Sequence, residues 1–189
     1  MDASEAREHL EMIERIVAAS SRKLEAGGEF FVIWGVAAAL FNVLFYLGFA
    51  GTLAVSTMWW TYGAILAIAI ALSVWRGRAY RRCTTRMSLL QREYFNVLWL
   101  TLALAFVADL LGFNLFTGWA ASGVWSVAEA IVLFYIGMHG NRRAQVGGIV
   151  LIVSIALANF NPAYVGLILA AGTLVGYGGF GLADMLARE

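Results

Sequence analysis

Six apolar runs, at about 30–49, 58–75, 95–116, 122–138, 146–160 and 163–182, constrain this chain more than anything else in it. Each approaches the roughly 20 residues that a helix needs to cross a ~30 Å hydrocarbon core. Lipid offers the backbone no hydrogen-bond partners, so such a run must satisfy its own N–H and C=O groups as helix. Charged residues make up 13% of the chain, about half the ~25% of a soluble domain. The sequence thus predicts an all-α polytopic membrane protein: six transmembrane helices arranged as three hairpins, preceded by a cytoplasmic amphipathic helix. Residues 1–26 form that helix and 27–189 the transmembrane domain. The fifth span is the shortest and is expected to thin the bilayer or to tilt little.

Orientation follows from where the arginines fall. Arg76, Arg78, Arg81, Arg82, Arg86 and Arg92 lie between spans two and three, and Arg142 and Arg143 between four and five. The loops at 50–57, 117–121 and 159–162 carry no charge. By the positive-inside rule both termini and both basic loops are cytoplasmic, in a cell inner membrane. Trp59, Trp60, Trp119 and Trp125 then cluster toward the outer ends as an aromatic belt. Asn161-Pro162 marks the last outer turn.

In the N-terminal segment Ala3, Ala6, Leu10, Ile13, Val17, Ser20 and Leu24 recur at steps of three and four, which is a heptad seam. Leu10, Ile13, Val17 and Leu24 are its large members and predict a helix that lies on the protein's own loops or binds a second copy or a partner subunit. Glu5, Glu8, Glu11 and Glu14 argue against anchoring on anionic lipid. Gly27-Gly28 ends the helix and lets the chain turn.

Two acids interrupt the apolar runs. Asp109 precedes the uncharged 117–121 loop by eight residues, and Glu129 follows it by eight. At ~1.5 Å per residue each lies roughly 12 Å below the outer helix ends. An acid at such depth costs on the order of 2.5–3.5 kcal/mol to insert, so it must face the bundle or a water-filled cavity. The predicted spans contain no basic residue to neutralise it. Asn42, Tyr46 and Ser126 are the expected neutral partners. The pair reads as two uncharged carboxylic acids bonding helices together, as a proton or cation relay, or as lipid-facing acids at a subunit contact.

Small residues predict where helices approach closely. Gly172 and Gly176, with the run 178–181, make span six smooth on one side, and Gly63, Ala67 and Ala71 do the same for span two. Packing within the bundle is the preferred reading of both seams. His139 reads as a capping residue at the end of span four. His9, His139 and Cys83 are too few for a conventional zinc or haem site, so no metal or cofactor is expected. No nucleophile elbow, phosphate-binding glycine loop or HExxH motif occurs. The net charge of +1 argues neither for nor against nucleic acid, and no nucleic-acid partner is expected.

An internal repeat is traceable. Sliding the chain by 64 residues aligns 29–49 with 93–113, with eight identities in 21 positions. This suggests duplication of a two-helix hairpin, in parallel rather than inverted orientation. The last hairpin, with Gly147-Gly148-Ile149-Val150, then Asn161-Pro162, then Gly166, Gly172 and Gly176, resembles the HdeD-like acid-resistance membrane proteins. That resemblance implies a bacterial inner-membrane stress protein with no assigned catalytic site. The function expected is a non-enzymatic accessory or interaction subunit in the lipid bilayer. The alternative is a small proton-coupled transporter or ion conductor using Asp109 and Glu129.

Overall fold

The computed structural model describes residues 27–83, 89–111 and 119–187, with the side chains of 79–83, 89–92 and 109 excepted. The described residues are helical, joined by short turns. Helix α1 is Gly28–Phe49, α2 Val55–Cys83, α3 Leu89–Leu111, α4 Trp119–Met138 and α5 Arg142–Phe160. A 3₁₀ turn, Pro162–Tyr164, leads into α6, Val165–Thr173; a π-helical turn, Leu174–Gly178, then joins α6 to α7, Gly179–Leu186. The last two helices and their turns run on as one rod, Pro162–Leu186. Five helical segments are long and apolar enough to cross a membrane: Gly28–Phe49, Val55–Arg78, Trp119–Met138, Arg142–Phe160 and Pro162–Leu186. The third predicted span overlaps a shorter apolar stretch, Glu93–Ala108. Residues 1–26, and with them the heptad seam of Leu10, Ile13, Val17 and Leu24, lie outside the described residues.

Local chemistry sets the helix ends. Gly27 takes φ 65°, a left-handed conformation open to glycine, and its carbonyl accepts from Phe30 N–H at 2.9 Å. Between α4 and α5, Gly140 at φ 94° reverses the chain. Asn161 closes α5 by donating its side-chain Nδ2–H to Leu157 O at 3.0 Å, and Pro162 opens the 3₁₀ turn, where its missing N–H is not needed.

The helices pack in the lateral order α2, α1, α6–α7, α5, α4, α3. Consecutive hairpins do form, α1 with α2, α3 with α4 and α5 with α6, but two further pairings build the core. The first helix lies along the last rod, and α4 packs along α5. Thus α1, α4, α5 and α6–α7 are central and α2 and α3 peripheral. The central group shares a core of Phe31, Leu133, Ile136, Leu151, Tyr177 and Phe180, to which α3 adds Tyr94. In lipid, apolar side chains gain nothing merely by meeting one another, so close packing must hold the bundle. The outer α1–α2 contact is aromatic: Phe41 lies 4.3 Å from Tyr62 between ring centroids, and Phe45 meets both Trp59 and Tyr62.

Glycine lets the last rod approach its neighbours on two faces. A Cβ on Gly176 would stand 2.7 Å from Gly147 O of α5, and one on Gly172 would overlap Ser154. A Cβ on Gly35 of α1 would stand 2.5 Å from Gly178 N, and one on Gly28 2.5 Å from Gly181 O. The expectation that span six is smooth on one side is therefore corrected. Gly172 and Gly176 face α5, whereas Gly178 and Gly181 face α1. The π turn, in which Gly179 N–H reaches back to Leu174 O, separates the two sets.

Packing within the bundle does not hold for the seam on α2. Gly63, Ala67 and Ala71 are exposed, and nothing lies within 4 Å of a Cβ built on Gly63. Helix α2 turns its aromatic Trp59 and Tyr62 to α1, and that contact leaves the small residues on the open face.

Charge is segregated. Glu29 pairs with Arg76 at 3.1 Å, Arg143 donates to Ala183 O at 2.6 Å, and Asn141 donates to Asp184 Oδ1 at 3.2 Å. These contacts tie α1 to α2, and α5 to α7, at one end of the bundle, hereafter the charged end. At the opposite, aromatic end, Phe49 meets Trp119 at 5.4 Å, and Gly166 sits against Trp119 and Tyr46.

The repeated segments take unlike places. Helix α1 is central and α3 peripheral, so Ala39 is buried while its counterpart Ala103 is exposed.

Candidate functional site

Helix α4 carries the site. Its buried positions include Ser126, Glu129, Ala130, Leu133, Ile136 and Gly137, which recur at steps of three and four and share one face. Glu129 therefore enters the bundle while Val127 and Ile131 look outward. Its side chain is 8% exposed, and Oε2 is buried without a hydrogen bond. Leu133, one turn nearer the charged end, packs at the Gly147–Gly176 crossing. This puts Glu129 about one helical turn, ~5.4 Å, beyond that crossing toward the aromatic end.

The neutral partners expected from the sequence do not serve it. Asn42 donates Nδ2–H to Ala38 O at 3.0 Å, and Ser126 donates its hydroxyl to Ser122 O at 3.0 Å. Tyr46 packs against Gly166 at the aromatic end. The physical reason is local competition: a short polar side chain in a helix has the carbonyl four residues back within reach, and in an apolar bundle that acceptor is always at hand. Ser154 and Thr173 are consumed in the same way, bonding Val150 O at 2.8 Å and Leu169 O at 2.9 Å. Asn42 Oδ1 is itself buried with no partner. Both orphan atoms are acceptors, so what would satisfy them is a donor: a proton, a water or a cation.

Asp109 lies on α3, two residues before the end of the described helix, and its side chain is among those not described. Its relation to Glu129 therefore lies outside the described residues.

Two buried tyrosines that the sequence did not single out join the core cluster beside α4. Tyr177, on the π turn, is 6% exposed, and its ring centroid lies 4.8 Å from that of Phe31. Tyr94, near the start of α3, is 3% exposed and lies 5.3 Å from Phe95 between ring centroids. The signal for Tyr177 was a tyrosine far inside an apolar run, since membrane tyrosines concentrate at the interfaces. Tyr94 carried no signal, because beside Glu93 it looked like an ordinary interfacial residue.

His139 donates Nδ1–H to Tyr135 O at 2.8 Å at the end of α4, and its ring lies tilted against that of Tyr135, with centroids 4.6 Å apart. Among the described residues no three of His, Cys, Asp and Glu come together as a metal site. A groove of about 250 Å³ between α1 and α6 is lined by Val36, Ala39, Leu40, Val43, Ala170 and Leu174, and offers no polar group to orient a ligand. Comparison with protein-family models, with curated proteins and with solved structures gives no match.

Proposed function

We propose that this chain is a small non-enzymatic integral membrane protein of six spans, with both termini cytoplasmic, that passes protons by way of Glu129. One observation carries this reading: a buried carboxyl oxygen on a central helix has no hydrogen bond. An acid placed so among apolar helices is costly, and a reversible proton carrier is the use that matches its chemistry. Asp109, on the helix beside α4, is the natural second carrier. The gathering of Glu29, Arg76, Arg143 and Asp184 at one end supports the orientation. The test is proton entry into proteoliposomes of the purified full chain under an imposed potential. Wild type is expected to exceed empty vesicles, and Glu129→Gln, which keeps the shape but cannot carry a proton, is expected to fall to their level. Equal rates in the two proteins would end this reading.

A second reading is that of an accessory subunit, stress-related as the HdeD-like resemblance implies, which works by association. It is favoured by the open face of α2 around Gly63, Ala67 and Ala71. Here deletion of residues 1–26 is expected to lower the oligomer size in size-exclusion chromatography with light scattering, while Glu129→Gln leaves it unchanged. An unaltered size after the deletion would count against a partner helix with Leu10, Ile13, Val17 and Leu24 as its seam.

A further inference from the structure

Six polar or charged side chains are buried among the described residues, and five of them, Asn42, Ser126, Glu129, Ser154 and Thr173, belong to one layer across the bundle. The register of the helices puts them there. Between α4 and α5, Gly137 lies against Gln145, Phe134 against Gly148 and Leu133 against Gly147. Continued along the two antiparallel helices, this register brings Ser154 level with residues 126–129. Ser154 in turn lies against Gly172, next to Thr173 on the last rod. On the other side of the rod, Gly35 faces Gly178 and Tyr46 faces Gly166, which brings Asn42 level with Ala170. The five residues thus fall within roughly one helical turn, 5.4 Å, of depth. Four of them also share a face. A Cβ on Gly166 would meet both Tyr46 of α1 and Trp119 of α4. Thr173 stands about two turns from Gly166, Ser126 about two turns from Trp119 and Asn42 about one turn from Tyr46, each on the same stripe of its helix. They carry that three-helix contact inward to the level of Glu129.

The chemistry of the layer is one-sided. Asn42 Nδ2–H goes to Ala38 O, and the hydroxyls of Ser126, Ser154 and Thr173 go to Ser122 O, Val150 O and Leu169 O in their own helices. The hydroxyl hydrogens are thereby spent on backbone, while each oxygen keeps lone pairs. Asn42 Oδ1 and Glu129 Oε2 are buried without any partner. Among the described residues no Lys, Arg or His is buried to meet them. We propose that this layer binds one small monovalent cation of sodium size, held by Glu129 Oε2 and Asn42 Oδ1 and completed by the hydroxyl oxygens of Ser126 and Thr173. Hard cations take oxygen ligands of this kind. A single carboxylate balances one positive charge, whereas a divalent ion would leave a charge unpaired inside the bundle. The close approaches at Gly166 and Gly172 favour a small ion. The site rests on the reading of Glu129 as a carrier and gives that carrier a second ion. Where Glu129 holds a proton, the ion enters as that proton leaves to bulk water, so the two compete for one carboxylate.

The test is calorimetric titration of sodium chloride into the purified full chain, in sodium-free choline buffer at alkaline pH, where the proton competes least. Wild type is expected to bind one sodium ion per chain, and Glu129→Gln none. Thr173→Val keeps the shape and removes one oxygen, and is expected to weaken binding at least about tenfold. Thr61→Val is the control: that hydroxyl makes the same kind of bond, to Thr57 O, on the peripheral helix α2, and its loss is expected to leave binding unchanged. Absence of sodium binding in wild type, with proton entry into proteoliposomes still dependent on Glu129, overturns the site and leaves the carrier standing. Sodium binding that is the same in wild type, Glu129→Gln and Thr173→Val also overturns it, because the ion is then held elsewhere. Sodium binding lost in Glu129→Gln, in a protein that admits no protons, upholds the site and overturns the proton reading. Should Thr173→Val fail to fold, Ser126→Ala, which takes one oxygen from α4 and leaves Glu129 in place, decides in its stead.

Discussion

Replacing Gly176 with leucine is expected to lower the melting temperature of the purified protein in detergent by about 6–12 °C, corresponding to a loss of about 3 kcal/mol. A Cβ at this position would stand 2.7 Å from Gly147 O and 3.1 Å from Leu151 Cγ. The first of these atoms is backbone, so a rotamer change cannot relieve the clash. The rod must move off α5, and every contact along that crossing loosens with it. Because close approach rather than apolar burial drives association in lipid, few other contacts can compensate. Gly63→Leu is the matched control: it adds the same atoms where nothing lies within 4 Å and is expected to leave the melting temperature unchanged. Equal melting of both variants would show that the α5 crossing does not hold the fold.

Truncating Phe31 to alanine is expected to cost about 3–5 kcal/mol. Phe31 is 2% exposed, and its ring lies 4.8 Å from Tyr177 and 4.9 Å from Phe180, the latter edge to face. It is the side chain by which α1 grips the last rod next to the two glycine crossings at Gly28 and Gly35, where the backbones already touch. Rigid glycine contacts on either side prevent the helices from closing the space that the ring leaves. Phe160→Ala, at 79% exposure, removes the same atoms from the outside and is expected to change little. The two variants are compared by thermal unfolding in one detergent. A loss below about 1 kcal/mol at Phe31 would mean that the pairing of first and last helices is not what stabilises the bundle.

The candidate site was half legible. Glu129 stood out because an acid in an apolar run has few structural explanations. Its surroundings could not be read in the same way. Asn42 and Ser126 are the right residue types at suitable depth, yet each bonds the carbonyl four residues back in its own helix. Tyr177 and Tyr94 reach the core because the first helix packs on the last rod and α3 packs on α4, long-range pairings that no local pattern encodes.

The sequence by itself determined that the described residues are helical and where the long apolar helices run. Apolar runs of membrane length can satisfy their backbone only as helix, and loops of a few residues can join only adjacent antiparallel arms. It also marked Gly172 and Gly176 as positions of close approach, and both lie against α5; Gly28, Gly35 and Gly147 were not read in that way. The tertiary structure alone decided which helices are central and which face of each looks inward. A residue that meets lipid and one that meets a neighbouring helix are equally apolar, so hydrophobicity carries no inside and outside here. The glycines on the last rod and the strip at Gly63, Ala67 and Ala71 look alike in the sequence; the first is closed by α1 and α5, and the second stays open because aromatic contacts with α1 occupy the other side of α2.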